Sequence, residues 1–404
     1  MAQFGNYVLY IIMFCAILGA LAAIKNDESG LGREFIEGIY SIGPIFLPVA
    51  GIMAAAPYLS ALVRTVFGPA FNAIGADPAI AATTFIAVDM GGYQLAEALA
   101  ASKEGWIMAM ITGYMAGATI VFSIPVGLAM LEKKDHKYMA LGVMSGILTV
   151  PVGVFVSSAI LSLTNAKVRA VISTDAEATY QLALTFGQIG LNLIPLIIIC
   201  GLIALGLWLM PDKMVKGFIW FGKIMDAGIK LVLVFSIVQY FTGFFTKVFG
   251  GWGFNPIIAD AADQFRALEI AGYIGIMLAG AFPMVYLIKK YLAKPLEALG
   301  KKFGFSSVGS AGILAGSANI LALFRIIKDM PAADKVKTIA FAVCSAFVIG
   351  DHLAFTANFQ PTIILPVMLG KITAGILAVV IATWLAVPKA IELEKKDNLE
   401  ITSR

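Results

Sequence analysis

Apolar runs of about 20 residues, each separated from the next by a short polar stretch, recur from one end of the chain to the other. That is the length a helix needs to cross the hydrocarbon core of a bilayer. The runs fall at residues 6–24, 40–63, 78–101, 106–131, 138–164, 181–209, 228–247, 268–288, 305–327, 336–359 and 362–387, with ends good to a few residues. The pattern predicts an all-α polytopic membrane protein of about 10–11 transmembrane helices, forming one integral membrane domain over residues 1–404. The first run ends in Ala20-Leu21-Ala22, which looks like a signal cleavage site. It has no Lys or Arg before its apolar core and many spans follow, so it is read as a retained first helix.

The polar stretches between the runs carry the topology. Residues 24–37 are net acidic, whereas 132–137, 212–230 and 289–302 are net basic. Alternation under the positive-inside rule places the N-terminus and the Lys133, Lys213 and Lys289 loops in the cytoplasm. The same alternation puts the basic stretch 325–337 outside, against the rule. Either 305–327 is re-entrant or one boundary is wrong.

Composition supports the membrane class. Of 404 residues, 60% are hydrophobic and 13% charged, with a mean hydropathy of +0.89, where soluble domains are nearer a quarter charged. The net charge of +4 sits in short loops, where it sets topology and gives no footprint for nucleic acid. Cys15, Cys200 and Cys344 lie far apart in apolar runs with no CxxC or Cys/His cluster, so no disulfide framework, metal or cofactor is indicated.

An internal repeat adds to the picture. "AAPYLSALVRTVFGPAFNAIG" (55–75) resembles "AFPMVYLIKKYLAKPLEALG" (281–300), with Pro57 and Pro69 spaced like Pro283 and Pro295. Continuing the register sets the neighbourhood of Asp89 against that of Asn319, and 118–125 against 346–353. The expected units are 1–164 and 228–388, joined by 165–227. Transporters built from two repeats bind cargo near the midplane, at broken helices between the repeats.

The chemistry sits where polarity interrupts apolar runs. A carboxylate at the bilayer centre costs about 2.5–3.5 kcal/mol on insertion scales, so it faces a cavity, pairs, or binds a cation. Asp89 in "FIAVDMGGYQLAEAL" and Asp351 in "VIGDHLAF" occupy such positions. Gly91 and Gly92 follow the first and Gly350 precedes the second, which predicts two helix breaks that expose backbone carbonyls. The candidate substrate-binding residues are Asp89, Asp351, Asn319, Gly91, Gly350 and Gln94. His352 is a supporting group or a proton relay, or an ordinary hydrogen-bonded core histidine. Gln188, Asn192, Gln239 and Asn358 read as helix-bridging amides. Glu97 reads as an interface charge. Trp106, Tyr138, Trp208, Trp252 and Trp384 read as interface anchors.

Three functions fit these residues: a carrier for a small organic cation, a sodium or proton exchanger, and an intramembrane aspartyl enzyme. The enzyme reading fails at its signature. Val348-Ile349 precede Gly350-Asp351 where a Gly-x-Gly-Asp stretch is needed, and Ala87-Val88 precede Asp89 where Tyr-Asp is needed.

"AVDMGGYQLAEALA", "GATIVFSIPVGLAM", "YMALGVMSGILTVPVG" and "FAVCSAFVIGDHLAF" resemble, in order and spacing, stretches of the EutH family of ethanolamine permeases. The resemblance runs over nearly the whole chain. It implies a multi-pass protein of the bacterial inner membrane that admits ethanolamine to a catabolic pathway housed in a proteinaceous microcompartment. It implies ethanolamine and membrane lipids as partners, leaves a coupling ion (H+ or Na+) open, is compatible with an oligomer, and implies no enzymatic step. One departure stands out: Asn319-Ile320 and Ala322 occupy places where the family is expected to carry paired asparagines and a nearby proline.

Overall fold

Hydrocarbon offers no hydrogen-bond partner, so each apolar run must satisfy its own backbone, and helices result. The computed structural model describes residues 2–402 and is almost wholly helical. Lys167–Val168 and Tyr180–Gln181 form the one antiparallel strand pair among the described residues. The chain begins with α1 (Ala2–Lys25), α2 (Gly30–Tyr40), α3 (Ile42–Ala54), α4 (Ala56–Val66) and α5 (Gly68–Ala73). Then come α6 (Ala79–Phe85), α7 (Gly92–Leu99), α8 (Lys103–Thr112), a π-helical segment (Gly113–Ser123) and α9 (Ile124–Met130). Next are α10 (His136–Ile147), α11 (Val150–Leu163), α12 (Phe186–Leu209), α13 (Pro211–Thr242) and α14 (Phe244–Phe249). The last are α15 (Ala267–Lys302), α16 (Ser307–Ala318), α17 (Ile320–Ile326), α18 (Ala332–Ser345), α19 (Asp351–Phe359), α20 (Ile364–Leu385) and α21 (Val387–Thr402).

Among the described residues, seven helical stretches are long and apolar enough to cross a membrane: 3–25, 30–54, 103–130, 133–163, 186–209, 267–302 and 361–385. The protein is an all-α polytopic membrane protein. α13, 32 residues long, and the broken pair α18–α19 are further long helical stretches outside this set. One face is basic and knitted by ion pairs. Lys335 pairs with Asp135 and Lys137 with Asp397, each at 2.6 Å, and Glu394 accepts the Ala332 N–H. At the opposite face Gly5 lies against Pro361, Arg169 donates to the Asn358 carbonyl, and the Tyr180 hydroxyl donates to Glu104.

Two of the apolar runs do not cross. Asp77 accepts the Ala79 N–H at 2.9 Å and the Ala101 N–H at 3.0 Å. One carboxylate therefore holds both ends of α6–α7 together, and the segment is a re-entrant hairpin with Asp89 in its tip. At the basic face Asp334, at the start of α18, accepts the Ser306 N–H at 2.8 Å, and α17 packs back along α16. This second hairpin has Asn319 at its tip and resolves the topological conflict in favour of re-entry: 325–337 joins the other basic loops. The first hairpin changes the parity that alternation assumed. The start of α1 therefore lies on the face opposite the Lys133 loop, and the expectation that both are cytoplasmic is corrected.

Several polar and aromatic residues find plain structural work. Gln188 closes a capping box with Thr185, Asn192 accepts the Asp77 N–H, and Asn358 donates to the Tyr273 and Ala354 carbonyls. Glu97 pairs with Lys103 at 3.3 Å. Trp208 and Trp384 are exposed, as interface anchors should be, but Trp106 and Tyr138 are buried. Trp106 stacks on Tyr93 and donates its indole N–H to the Tyr93 carbonyl, so its position near a helix end marks a core contact instead.

Candidate functional site

The two hairpin tips and the break between α18 and α19 converge in the middle of the bundle. After α6, the backbone runs extended at Ile86 and Ala87, makes one 3-10 turn over Val88–Met90, and turns through Gly91 at φ +92°. That left-handed value explains the glycine, because a Cβ there is strained. Asp89 is the middle residue of this turn. In the second tip Asn319 is extended, and its Oδ1 caps α17 by accepting the Leu321 N–H at 2.8 Å.

The third break, residues 346–350, is stitched to the second tip. The Phe347 N–H donates to the Gly316 carbonyl at 3.1 Å, and the Ile349 N–H to the Ser317 carbonyl at 3.0 Å. Carbonyls released at the end of α16 are thus used to fix the break, which leaves fewer free for a cation than the sequence suggests. Phe347 itself has φ +61°, an uncommon conformation for a bulky residue and one that clusters at functional sites. Its ring leans on His352 at 5.1 Å and Phe122 at 6.0 Å.

Together these breaks line one cavity of about 190 Å³, against the about 10–15 Å³ that a single water needs. Asp89, Asp351, Asn319 and His352 all face it, with Ser41, Phe122 and Phe347 among the other walls. Asp351 Oδ1 and both ring nitrogens of His352 are buried without a hydrogen-bond partner. Among the described residues neither Asp89 nor Asp351 has an ion-pair partner. Gly91 and Gly350 shape the backbone beside the cavity and do not line it. Gln94 also lies outside it, with both amide atoms buried and unpartnered.

Access is asymmetric. Toward the basic face a second cavity of about 520 Å³ shares Pro44, Pro48, Met90 and Phe122 with the first, and its floor includes Lys223 and Asp226 of α13. Toward the other face the way is filled. Tyr93 stacks on Trp106 at 4.7 Å and meets Phe355 at 5.6 Å and Phe359 at 5.9 Å, and all four rings are buried. Above them Gln360 donates to the Tyr93 hydroxyl and to the Arg169 carbonyl, each at 2.9 Å.

Sequence reasoning passed over Lys371, which lies in the middle of α20 and is 1% exposed. Its ammonium donates to the Tyr114 carbonyl in the π-helical segment at 2.8 Å, and its own carbonyl accepts from Ser345 at the end of α18. Tyr114 also meets His352 at 4.9 Å with the rings tilted, and shares a 2.5 Å hydrogen bond with Thr356. The signal was available, since one lysine inside an apolar run is as anomalous as one aspartate.

Comparison with known proteins places this architecture. No solved structure matches the chain. A protein of Listeria monocytogenes named "Probable ethanolamine permease EutH" is 38% identical over 95% of this chain and 94% of its own length. A protein of the same name from Escherichia coli is 34% identical over 99% of both. An uncharacterised Bacillus subtilis protein, YxeR, is 32% identical over 97% of this chain and 98% of its own length. Residues 4–385 match the family described as "Ethanolamine utilisation protein, EutH", and the chain belongs to that family.

Proposed function

We propose that the chain is a permease that carries ethanolamine, as its ammonium cation, across the bacterial inner membrane. The observation that carries this reading is the cavity in which Asp89 and Asp351 stand without ion-pair partners. A carboxylate at membrane depth is costly unless it faces a cavity, pairs or binds a cation, and a protonated amine in the cavity supplies such a cation. The names of the relatives agree with that chemistry. In this reading the ammonium binds between Asp89 and Asp351. The hydroxyl is met by His352, whose ring nitrogens are free, and by the Asn319 amide N–H, the donor that capping of α17 leaves over.

The cavities supply a route. The basic face is cytoplasmic by the positive-inside rule, so the wide cavity beside Met90 and Phe122 opens inward, while the Tyr93–Trp106–Phe355–Phe359 cluster bars the outside. A carrier in this state releases cargo to the cytoplasm, and exchange of the barrier from one side of Asp89 to the other completes a cycle. A two-repeat origin supports such an exchange. Both repeats contribute a re-entrant hairpin, with Asp89 and Asn319 in matching tips. α9 packs on α17 much as α19 packs on the Val88–Met90 turn.

The test is uptake of labelled ethanolamine into proteoliposomes with imposed voltage, proton or sodium gradients. Saturable uptake driven by an inside-negative voltage alone supports a uniporter for the cation. Uptake that requires a proton or sodium gradient supports coupling. No ethanolamine flux under any gradient contradicts the reading.

A further inference from the structure

The placement of Lys371 is costly. Its ammonium is buried in the middle of α20 with a single neutral acceptor, the Tyr114 carbonyl, and has no ion-pair partner among the described residues. A charge held that way is strongly unfavourable unless opposite charge lies within range. Asp89 and Asp351 both line the cargo cavity, together with His352. His352 also lines the narrow pocket, too small for water, that houses Lys371, so one ring lies against both spaces. Thus two carboxylates and one ammonium, none with an ion-pair partner among the described residues, lie within a single buried cluster.

The charge count of that cluster has a consequence for cargo. With all three groups ionised, two carboxylates and one ammonium sum to minus one, and a singly charged amine brings the filled site to neutrality. A dication would leave it positive and a zwitterion negative, each an unbalanced charge in a low-dielectric interior. We propose that Lys371 sets the charge of the cargo site to minus one and thereby selects singly charged amines over diamines. The inference rests on the ethanolamine reading only in taking the Asp89–Asp351 cavity as the cargo site. Lys371 is a specificity-determining residue that acts through the field and does not touch the cargo.

Competition assays in proteoliposomes test it, with labelled ethanolamine as reporter and putrescine, a short diamine, as competitor. Wild type and Lys371→Arg should ignore an excess of putrescine, and Lys371→Met, now with two uncompensated carboxylates, should be inhibited by it at least about tenfold more strongly. A structural defect alone would lower uptake without changing the ratio of monoamine to diamine potency. A second comparison does not rest on the Lys371→Met single variant. Asp351→Asn leaves a neutral site and should weaken ethanolamine binding, and adding Lys371→Met to it restores minus one and should recover about tenfold of that loss. Binding is read on the purified proteins as a ligand-induced rise in melting temperature, so it stands even if wild type shows no ethanolamine uptake, a result that would defeat the transport reading alone. Unchanged diamine exclusion in folded Lys371→Met, or a double variant that binds no better than Asp351→Asn, overturns the inference.

Discussion

Gly350 and Ala318 meet at the centre of the bundle with no space for a side chain between them: a Cβ on Gly350 would overlap the Ala318 carbonyl oxygen. The contact joins the break that presents Asp351 to the hairpin tip that presents Asn319. It is reinforced on either side by the Phe347–Gly316 and Ile349–Ser317 hydrogen bonds. The position of one carboxylate therefore depends on a backbone-to-backbone fit.

Gly350→Ala should force the break and the tip apart. Overpacking of this kind costs about 1–3 kcal/mol. A lowered melting temperature of the detergent-purified protein, with ethanolamine uptake reduced more than protein yield, is expected. An unchanged melting temperature would show that the fit is looser than described.

Asp77 anchors the first hairpin by accepting N–H groups from both of its ends. Asp77→Ala leaves the Ala79 and Ala101 amides without that acceptor, and a buried unsatisfied donor costs about 1–3 kcal/mol. Asp77→Asn keeps one acceptor oxygen and should lose less. Thermal melts of the two variants check the order, and equal stability of Ala and Asn variants would remove the anchor from the account.

The asymmetry of the cavities predicts a pattern of cysteine reactivity. Cys15, Cys200 and Cys344 are all buried, so background labelling should be low. Phe122→Cys lies in both cavities and should react with a polar maleimide applied to the basic face. Phe355→Cys sits within the aromatic cluster and should stay protected from the opposite face. Ethanolamine should slow the first reaction. Equal labelling of both from the outer face would contradict an outward barrier at Tyr93.

Much of this arrangement was legible in the chain. The apolar runs became largely helical, and glycine beside acid marked the breaks at Asp89 and Asp351, because only a polar lining tolerates such residues at depth. Crossing and re-entry were harder to separate, since a hairpin of two short helices reads in the sequence as one apolar run of span length. Only the conflict over 325–337 betrayed it. The tertiary uses of Trp106 and Tyr138 were invisible because an aromatic near a helix end looks the same whether it faces lipid or core. Phe347 carries no local sign of its left-handed backbone, which the Gly316 and Ser317 carbonyls impose from a distant segment.

The central claim is that Asp89 and Asp351 together hold the cargo's ammonium. Its most direct test is initial-rate uptake of labelled ethanolamine into proteoliposomes by wild type, Asp89→Asn and Asp351→Asn at matched protein incorporation. Loss of a desolvated charge-assisted hydrogen bond is worth about 1.5–3 kcal/mol, so each variant should fall at least about tenfold in uptake at subsaturating ethanolamine. Saturable uptake retained in full by both variants would contradict the claim.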